Sequence, residues 1–443
     1  MELDTKKTTI AGHQAGAARK SLHKHQLLRA RLVLPLSQPP IPNGAVLVSG
    51  RRIVEVKPWR HFAPELRKNA LDLGEIVVLP GLVNAHCHLD YTDMGGQFAP
   101  PRHFTDWLKL LTTAKSQWKL TDYAESWRNG AAMLVRTGTT TVGDIEAVPQ
   151  LLPDAWDSTP LRVFSFLEMI GLTSRRLPSV ILHEAVEKIV SLKTSRGLAG
   201  LSPHAPYTTL PELLRLSAET ARRHGWRLCT HVAESALEFE MFAHGRGEMF
   251  EWLKRSGRDV SDCGLGSPVK HLERYGILGP NLLAVHVNYL ARGDALLLGE
   301  RKVNVAHCPR SHAYFKHSPF PVSRLARAGA NICLGTDSLG SVHTSRRHPL
   351  ELSMFEEMRA LAAREPGLSP KTILRMATIN GARALGLQGK VGELSKASFA
   401  DLIAIPYKGK PGAVWDAIVH HHGKVSASLI NGKWAVAPGT APQ

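Results

Sequence analysis

His86 and His88 flank Cys87 directly after the apolar run Ile76 to Ala85. Alternation along a strand puts both imidazoles on one face, with Cys87 on the other. Two histidines aimed at one point can grip a divalent metal. Alone the pair is weak, because the chain holds 22 histidines. Its company downstream decides the reading. His231 is followed by Glu234 and Ser235, His286 and His307 lie in two later apolar runs, and Asp337 stands in Gly335-Thr336-Asp337-Ser338. Three imidazoles and a carboxylate suit Zn²⁺ or Fe²⁺, and the expected ligands are His86, His88, His231 and Asp337. No lysine ends the run before Ser202-Pro203-His204, where a two-metal site needs a bridging carbamate, so one metal is expected.

The chemistry of such a set is hydrolytic. A divalent ion lowers the pKa of its water from about 15.7 to about 7. Glu234, three residues beyond His231, can shuttle a proton between that water and a substrate nitrogen. Asp337 can accept the proton of the attacking water. His286 can polarise or protonate the reacting centre, and a buried histidine bonded to backbone is the rival reading for it. His307 reads as a structural residue.

Elements must bring these residues together. Eight apolar, β-rich runs recur: 76–86, 139–146, 162–171, 197–204, 227–234, 282–288, 303–307 and 330–337. The stretches FTDWLKLLTTAKSQW and PELLRLSAETARRHG between them carry apolar residues at helical spacing. Gly138 and Gly225 sit where helices stop. Strands alternating with helices imply a parallel sheet, and eight units match a (β/α)₈ barrel. A doubly wound open sheet is the structural alternative. In a barrel all these strand ends open on one face, where active sites are built.

The flanks read differently, as short strands around Pro and Gly turns. Neither is long enough for a core of its own. Together, residues 28–78 and 389–443 are expected to form one small β-domain beside a barrel over 79–388. Residues 1–27 are polar and basic and read as a disordered tail without a secretory apolar segment.

Composition bounds the function. Apolar residues make up 43% and charged residues 21%, and no charge-free apolar stretch reaches a membrane-spanning eighteen residues. Five cysteines form no CxxC pair, which fits a reducing compartment and a cytoplasmic location. The net charge of +17 would attract anions or nucleic acid. No zinc-finger, RNA-recognition or phosphate-loop pattern accompanies it, so a solvated basic surface is preferred.

The stretch LPGLVNAHCHLDYTDMGG resembles the first metal motif of the amidohydrolase superfamily. More narrowly, it is similar to the mononuclear-metal branch of cytosine, guanine, S-adenosylhomocysteine and aminofutalosine deaminases and triazine chlorohydrolases. SPHAPYT, THVAES, VAHCPRSH and LGTDSL resemble that branch's later motifs in the same order, and VGELSKASFADLIAI its closing β-domain segment. The resemblance implies a barrel with a composite β-sandwich and one metal held by His86, His88, His231 and Asp337. It also implies Glu234 as proton shuttle, His286 beside the reacting carbon, His204 in contact with a nucleoside substrate, and a possible homodimer.

Departures from the branch fall around the substrate. HCHLDYT and CPRSHAYFKHSPFP replace commoner forms, and Ala99 to His103 lacks the ribose-binding acid of adenine-nucleoside deaminases. His312, Tyr314 and Phe315 either line an altered pocket or pack the loop. Arg310 and Arg102 can bind an anionic tail, against the bland reading of solvated surface arginines. The expected reaction is hydrolytic deamination of an aminopurine-type heterocycle, with release of ammonia. A chlorohydrolase or a cyclic amidase using the same site is the nearest alternative. An inactive scaffold or a nucleic-acid binder is the alternative of another class, and retention of all four ligands with Glu234 argues against the scaffold.

Overall fold

The computed structural model describes residues 25–173, 175–192, 197–344 and 350–439. Most of the segment read as a disordered tail, residues 1–24, lies outside the described residues. Its last part does not: strand β1 spans His25–Val33, so the first sheet begins three residues earlier than expected.

Strands β2 (Ile41–Ser49), β3 (Arg52–Pro58), β4 (Leu71–Asp72) and β5 (Ile76–Pro80) complete the N-terminal flank. The barrel strands follow as β6 (Leu82–Cys87), β7 (Thr139–Glu146), β8 (Arg162–Met169), β9 (Leu198–Pro203), β10 (Leu228–Val232), β11 (Leu282–His286), β12 (Asn304–His307) and β13 (Asn331–Leu334). The C-terminal flank adds β14 (Leu402–Pro406), β15 (Ala427–Ile430) and β16 (Lys433–Val436).

Strands β6 to β13 form one parallel sheet in sequence order. The two ends of that sheet meet where the backbone N–H groups of Thr336 and Asp337 donate to the His86 carbonyl at 3.0 and 3.2 Å, beside a parallel bridge from Cys87 to Asp337. This closure is the expected (β/α)₈ barrel, and it places the first and last chemical motifs side by side. Ile145, Phe164, Phe166, Leu283, Val285 and Cys333 fill the interior, with Ala382 and Leu385 packed against them. The barrel is thus a packed core with its polar groups gathered at one end.

The run from 76 to 86, expected as one strand, is two. Pro80 cannot extend the ladder, and a Cβ on Gly81 would lie 2.1 Å from Thr140 Oγ1. The chain therefore turns there: β5 pairs antiparallel with β14, and β6 pairs parallel with β7. The second sheet runs β16-β15-β14-β5-β1-β2-β3, with β4 on β1, and is built from both ends of the chain. Arg162, at the start of β8, meets Asp401 at 3.1 Å in a buried ion pair that ties this sheet to the barrel. Asp401 also accepts from the Asn431 backbone at 2.7 Å.

A further apolar cluster sits over the open end of the barrel. It draws Tyr91, Trp107, Tyr207, Phe242, Leu253 and Tyr314 from loops and helices after several strands. No single stretch of sequence announces it.

Candidate active site

His86 lies in the last alternation of β6, His88 directly follows that strand with extended backbone, and His231 lies in β10. Their rings converge, with centroids 4.9 Å apart for His86–His88, 4.9 Å for His86–His231 and 5.4 Å for His88–His231. One ring nitrogen from each lies within 4.8 Å of the others, the one such metal-compatible group among the described residues. The Nδ1–H of His231 donates to the His204 carbonyl at 2.9 Å, which turns the Nε2 lone pair toward the group. That Nε2 is 3.3 Å from Nε2 of His88.

Burial sets the protonation of His88 and His231. It pushes His88 well below its ordinary value, with His86 adding to the effect. Burial, then His204 and His86, take His231 down to about 3. Neutral imidazole is the form that ligates metals. Among the described residues neither ring nitrogen of His86 finds a hydrogen-bond partner, nor does Nδ1 of His88. Buried polar atoms without partners are costly, and a divalent cation at this point supplies one. The donor set fits a metal.

Asp337 follows β13 with a left-handed backbone, φ 55°. Its Oδ1 stands 3.7 Å from His86 Nε2 and 3.6 Å from His88 Nε2. These separations are longer than hydrogen bonds. The other oxygen accepts from Ser311 Oγ at 2.7 Å. Burial opposes ionisation of Asp337, but His86, His286 and His88 prevail and hold the carboxyl well below the usual range.

Glu234 is aimed by a helix start. Ser235 Oγ caps the Ala236–His244 helix by accepting from the Glu238 N–H at 3.1 Å. Glu238 returns its carboxylate to the N–H groups of Ala233 and Glu234, at 2.9 and 2.8 Å. This is a capping arrangement in which Ser and Glu three residues apart satisfy each other's turn. It leaves the Glu234 side chain free to point inward, where Oε1 is 3.4 Å from His286 Nε2. Burial, then Asp337 and Glu238, raise the Glu234 carboxyl well above its ordinary value. His286, at φ 75°, also faces Asp337 Oδ2 at 4.0 Å. Its ring thus lies between two carboxyl groups, which disfavours the backbone-bonded alternative. Left-handed non-glycine residues at the ends of β10, β11 and β13 mark backbone held against its own preference at this one place.

The structure also places the remaining sequence candidates. His204 lies against His231, with ring centroids 4.9 Å apart and Nδ1 2.6 Å from Thr208 Oγ1. Burial takes it down to about 3. Arg310 is engaged elsewhere: its guanidinium donates to the Glu351 carbonyl at 2.8 Å and lies 3.7 Å from the buried Glu357. Those partners satisfy it within the protein wall, and Arg102 is exposed. His307 stacks on Phe320 at 3.8 Å, as a structural residue does. His312 meets Asn288 at 3.0 Å, and Tyr314 donates to the Phe98 carbonyl at 3.1 Å, so both pack their loop.

Sequence reasoning missed several groups. Glu238 was legible as the fourth residue of Ser-Ala-Leu-Glu, a capping signature. Ser311 carries no local signal for its bond to Asp337. Nor do Asp90, Asp144, Glu146 and Glu168, a set of acids at the ends of β6 to β8 around Lys115. Asp144 accepts from Leu89 N at 3.0 Å and Trp127 Nε1 at 2.9 Å. Burial raises Asp90 to about 7. Burial alone would lower Lys115, but Asp90 and Glu168 reverse this and raise it.

Comparison with known proteins agrees with this arrangement. The amidohydrolase family model matches residues 77–435. The chain is 34% identical over 390 residues to 5-methylthioadenosine/S-adenosylhomocysteine deaminase of Syntrophobacter fumaroxidans, covering 84% of this chain and 81% of that one. The crystal structure of Helicobacter pylori aminofutalosine deaminase with methylthio-coformycin superposes with a TM-score of 0.82 at 21% identity, covering 93% and 100% of the two chains. An adenosine deaminase from Xanthomonas campestris with bound zinc gives 0.78 at 23% identity, covering 93% and 92%. The last two speak for the fold. With the family match spanning nearly the whole barrel and the strands that close the second sheet, this chain belongs to the amidohydrolase family.

Proposed function

We propose that the protein is a metal-dependent hydrolytic deaminase of an aminopurine nucleoside. The observation that carries this reading is the convergence of three buried histidines with two carboxyl groups that face His286 from 3.4 and 4.0 Å. His86, His88 and His231, with Asp337 beside them, would hold one divalent ion, zinc by its imidazole-rich donor set. When bound, that ion supplies Lewis acidity and an acidified water at neutral pH.

The chain's own residues divide the proton work. Glu234, whose surroundings favour the protonated carboxyl, delivers a proton to the ring nitrogen. Asp337, whose surroundings favour the carboxylate, takes a proton from the attacking water. Two carboxyls pushed apart in this way are suited to acid and base roles. Water adds to the amidine carbon, and Asp337 passes the proton it took to the exocyclic amine. The bond to that nitrogen breaks and ammonia leaves, while the added hydroxyl returns its proton to Glu234 as the carbonyl forms. His286 stands beside the reacting carbon and His204 contacts the base. Arg310 keeps its guanidinium on Glu351 and Glu357 and shapes the wall.

The relative at 34% identity supports a 5′-modified adenosine as substrate class. In this reading the barrel over 79–388 carries the chemistry, and the domain from 28–78 and 389–443 braces its closed end. The five cysteines are free and buried, which suits the cytoplasm. No helix among the described residues is long and apolar enough to cross a membrane.

The test is ammonia release from a panel of adenosine, methylthioadenosine, guanine, cytosine and aminofutalosine-type compounds. Zinc-loaded protein is compared with Glu234→Gln. Ammonia from one compound, absent in the variant, supports the reading. Chloride from a triazine or ring opening of an amide, with no ammonia from any compound, overturns it.

A further inference from the structure

Between β10 and β11 the chain makes a long excursion over the barrel mouth, through helices Ala236–His244, Glu248–Arg255 and Pro268–Arg274. One residue of that excursion reaches the loop that carries His204. The Arg258 side chain is fully buried and forms a two-pronged pair with Asp262, at 2.7 and 2.8 Å. The same guanidinium donates to the Tyr207 carbonyl from Nε at 3.0 Å and to the Pro206 carbonyl from Nη2 at 3.1 Å. A further contact goes to the Asp259 carbonyl at 2.6 Å. The planar fork of arginine is matched on every side, a geometry the point charge of lysine does not reproduce.

What Arg258 holds is one short step from the histidines. After β9, His204 leads into a tight turn closed by the Thr208 N–H on the Ala205 carbonyl at 3.1 Å, and the first polar group of this segment is the His204 carbonyl. That carbonyl accepts both from the His231 backbone N–H at 2.8 Å and from His231 Nδ1 at 2.9 Å. It therefore fixes which nitrogen of His231 faces the other two rings. Groups that orient a ligand histidine in this way tune the centre although they never touch it.

Resting on the reading of the three histidines as a metal centre, we infer that Arg258 is a positioning residue for that centre. It clamps the turn through two carbonyls and so sets the direction of His231 and of the His204 ring together. The Glu248 carboxylate of the same excursion meets His103 at 3.2 Å and accepts from Thr105, so the excursion also grips the loop after β6. One overlying segment thus contacts both the turn after β9, whose His204 carbonyl holds His231, and the segment that follows the β6 loop.

The test is zinc affinity of the full chain by competition with a chelator, with the visible spectrum of the cobalt-substituted protein as the geometric readout. Arg258→Lys is expected to weaken zinc binding about 10- to 100-fold and to change the cobalt spectrum. If that variant does not fold, Asp262→Asn serves, with a smaller shift in the same direction. Leu253→Ala, which loosens the same excursion at a buried apolar position, is expected to keep both readouts. Unchanged affinity and spectrum in both clamp variants overturn the inference, as does an equal shift in Leu253→Ala. A parent protein that takes up no zinc or cobalt overturns the metal-centre reading itself, and the inference with it.

Discussion

The open end of the barrel has two unlike halves. At the ends of β6, β10, β11 and β13, polar groups converge and several remain unpartnered. Toward the ends of β7 and β8, and just after His88, four acids lie close together, three of them acting on Lys115, and Asp144 and Glu146 accept from backbone or tryptophan donors. Both halves are buried, so burial alone does not distinguish a reacting centre from a scaffold. Both halves also keep unpartnered atoms, since among the described residues the two oxygens of Asp90 and Oε2 of Glu146 lack partners as the histidines do, and the difference lies in where the side chains are aimed. In the first half left-handed residues hold side chains toward a common point. In the second, Leu89 N and Trp127 hold Asp144, Val148 N holds one oxygen of Glu146, and Lys115 balances the charge of Asp90 and Glu168.

That contrast can be broken from either side, and the largest effect is expected at the histidines. His231→Ala should abolish metal uptake, read by metal content after dialysis, and turnover should fall with it. A variant that still holds one metal per chain removes His231 from the centre. Next comes Glu234→Gln, which should lower kcat by roughly 10²- to 10⁴-fold with metal content unchanged. Turnover near the parent value would take Glu234 out of the chemistry.

The other half should respond in stability. Asp144→Ala leaves Trp127 Nε1 and Leu89 N without their acceptor in a buried place. It should cost about 1–3 kcal/mol in denaturant unfolding, with metal content intact. Loss of metal in that variant would mean the halves are one unit.

A last effect is a pH dependence in the wall behind Asp337. Burial raises Glu357 to about 8, although Arg310 opposes the shift. The folded state therefore binds a proton there that the unfolded chain has released above its ordinary carboxyl pKa of about 4.3. Stability from this group is complete below that value and is lost as pH rises toward 8. Unfolding free energy measured from pH 5 to pH 8 should fall less steeply in Glu357→Gln. An unchanged slope would show Glu357 already ionised against Arg310.

Much of this was legible because it is local. Each barrel strand after β6 lies within a β-rich run, since inward Val, Ile, Phe and Cys positions repeat at strand spacing, and β6 overruns its own by one residue. HxH, Glu234 after His231, and Asp337 in Gly-Thr-Asp-Ser are all short-range patterns. The cut at Gly81 was not legible, because its cause is Thr140, on a neighbouring strand. Arg310 shows the same limit. Its charge suggested a ligand contact, but Glu351 and Glu357, more than forty residues away, already engage it.

By itself the sequence determined which atoms are available for chemistry, and in what order along the chain, because side-chain type and strand alternation are properties of a few neighbouring residues. Only the tertiary structure decided which of those atoms meet. The bond of Ser311 to Asp337 and the clamp of Arg258 on the His204 turn join neighbouring barrel units, and the approach of His86 to Asp337 depends on closure of β6 against the end of β13. They join residues up to some 250 positions apart, and closure energy of that kind is written in the packing of the whole barrel.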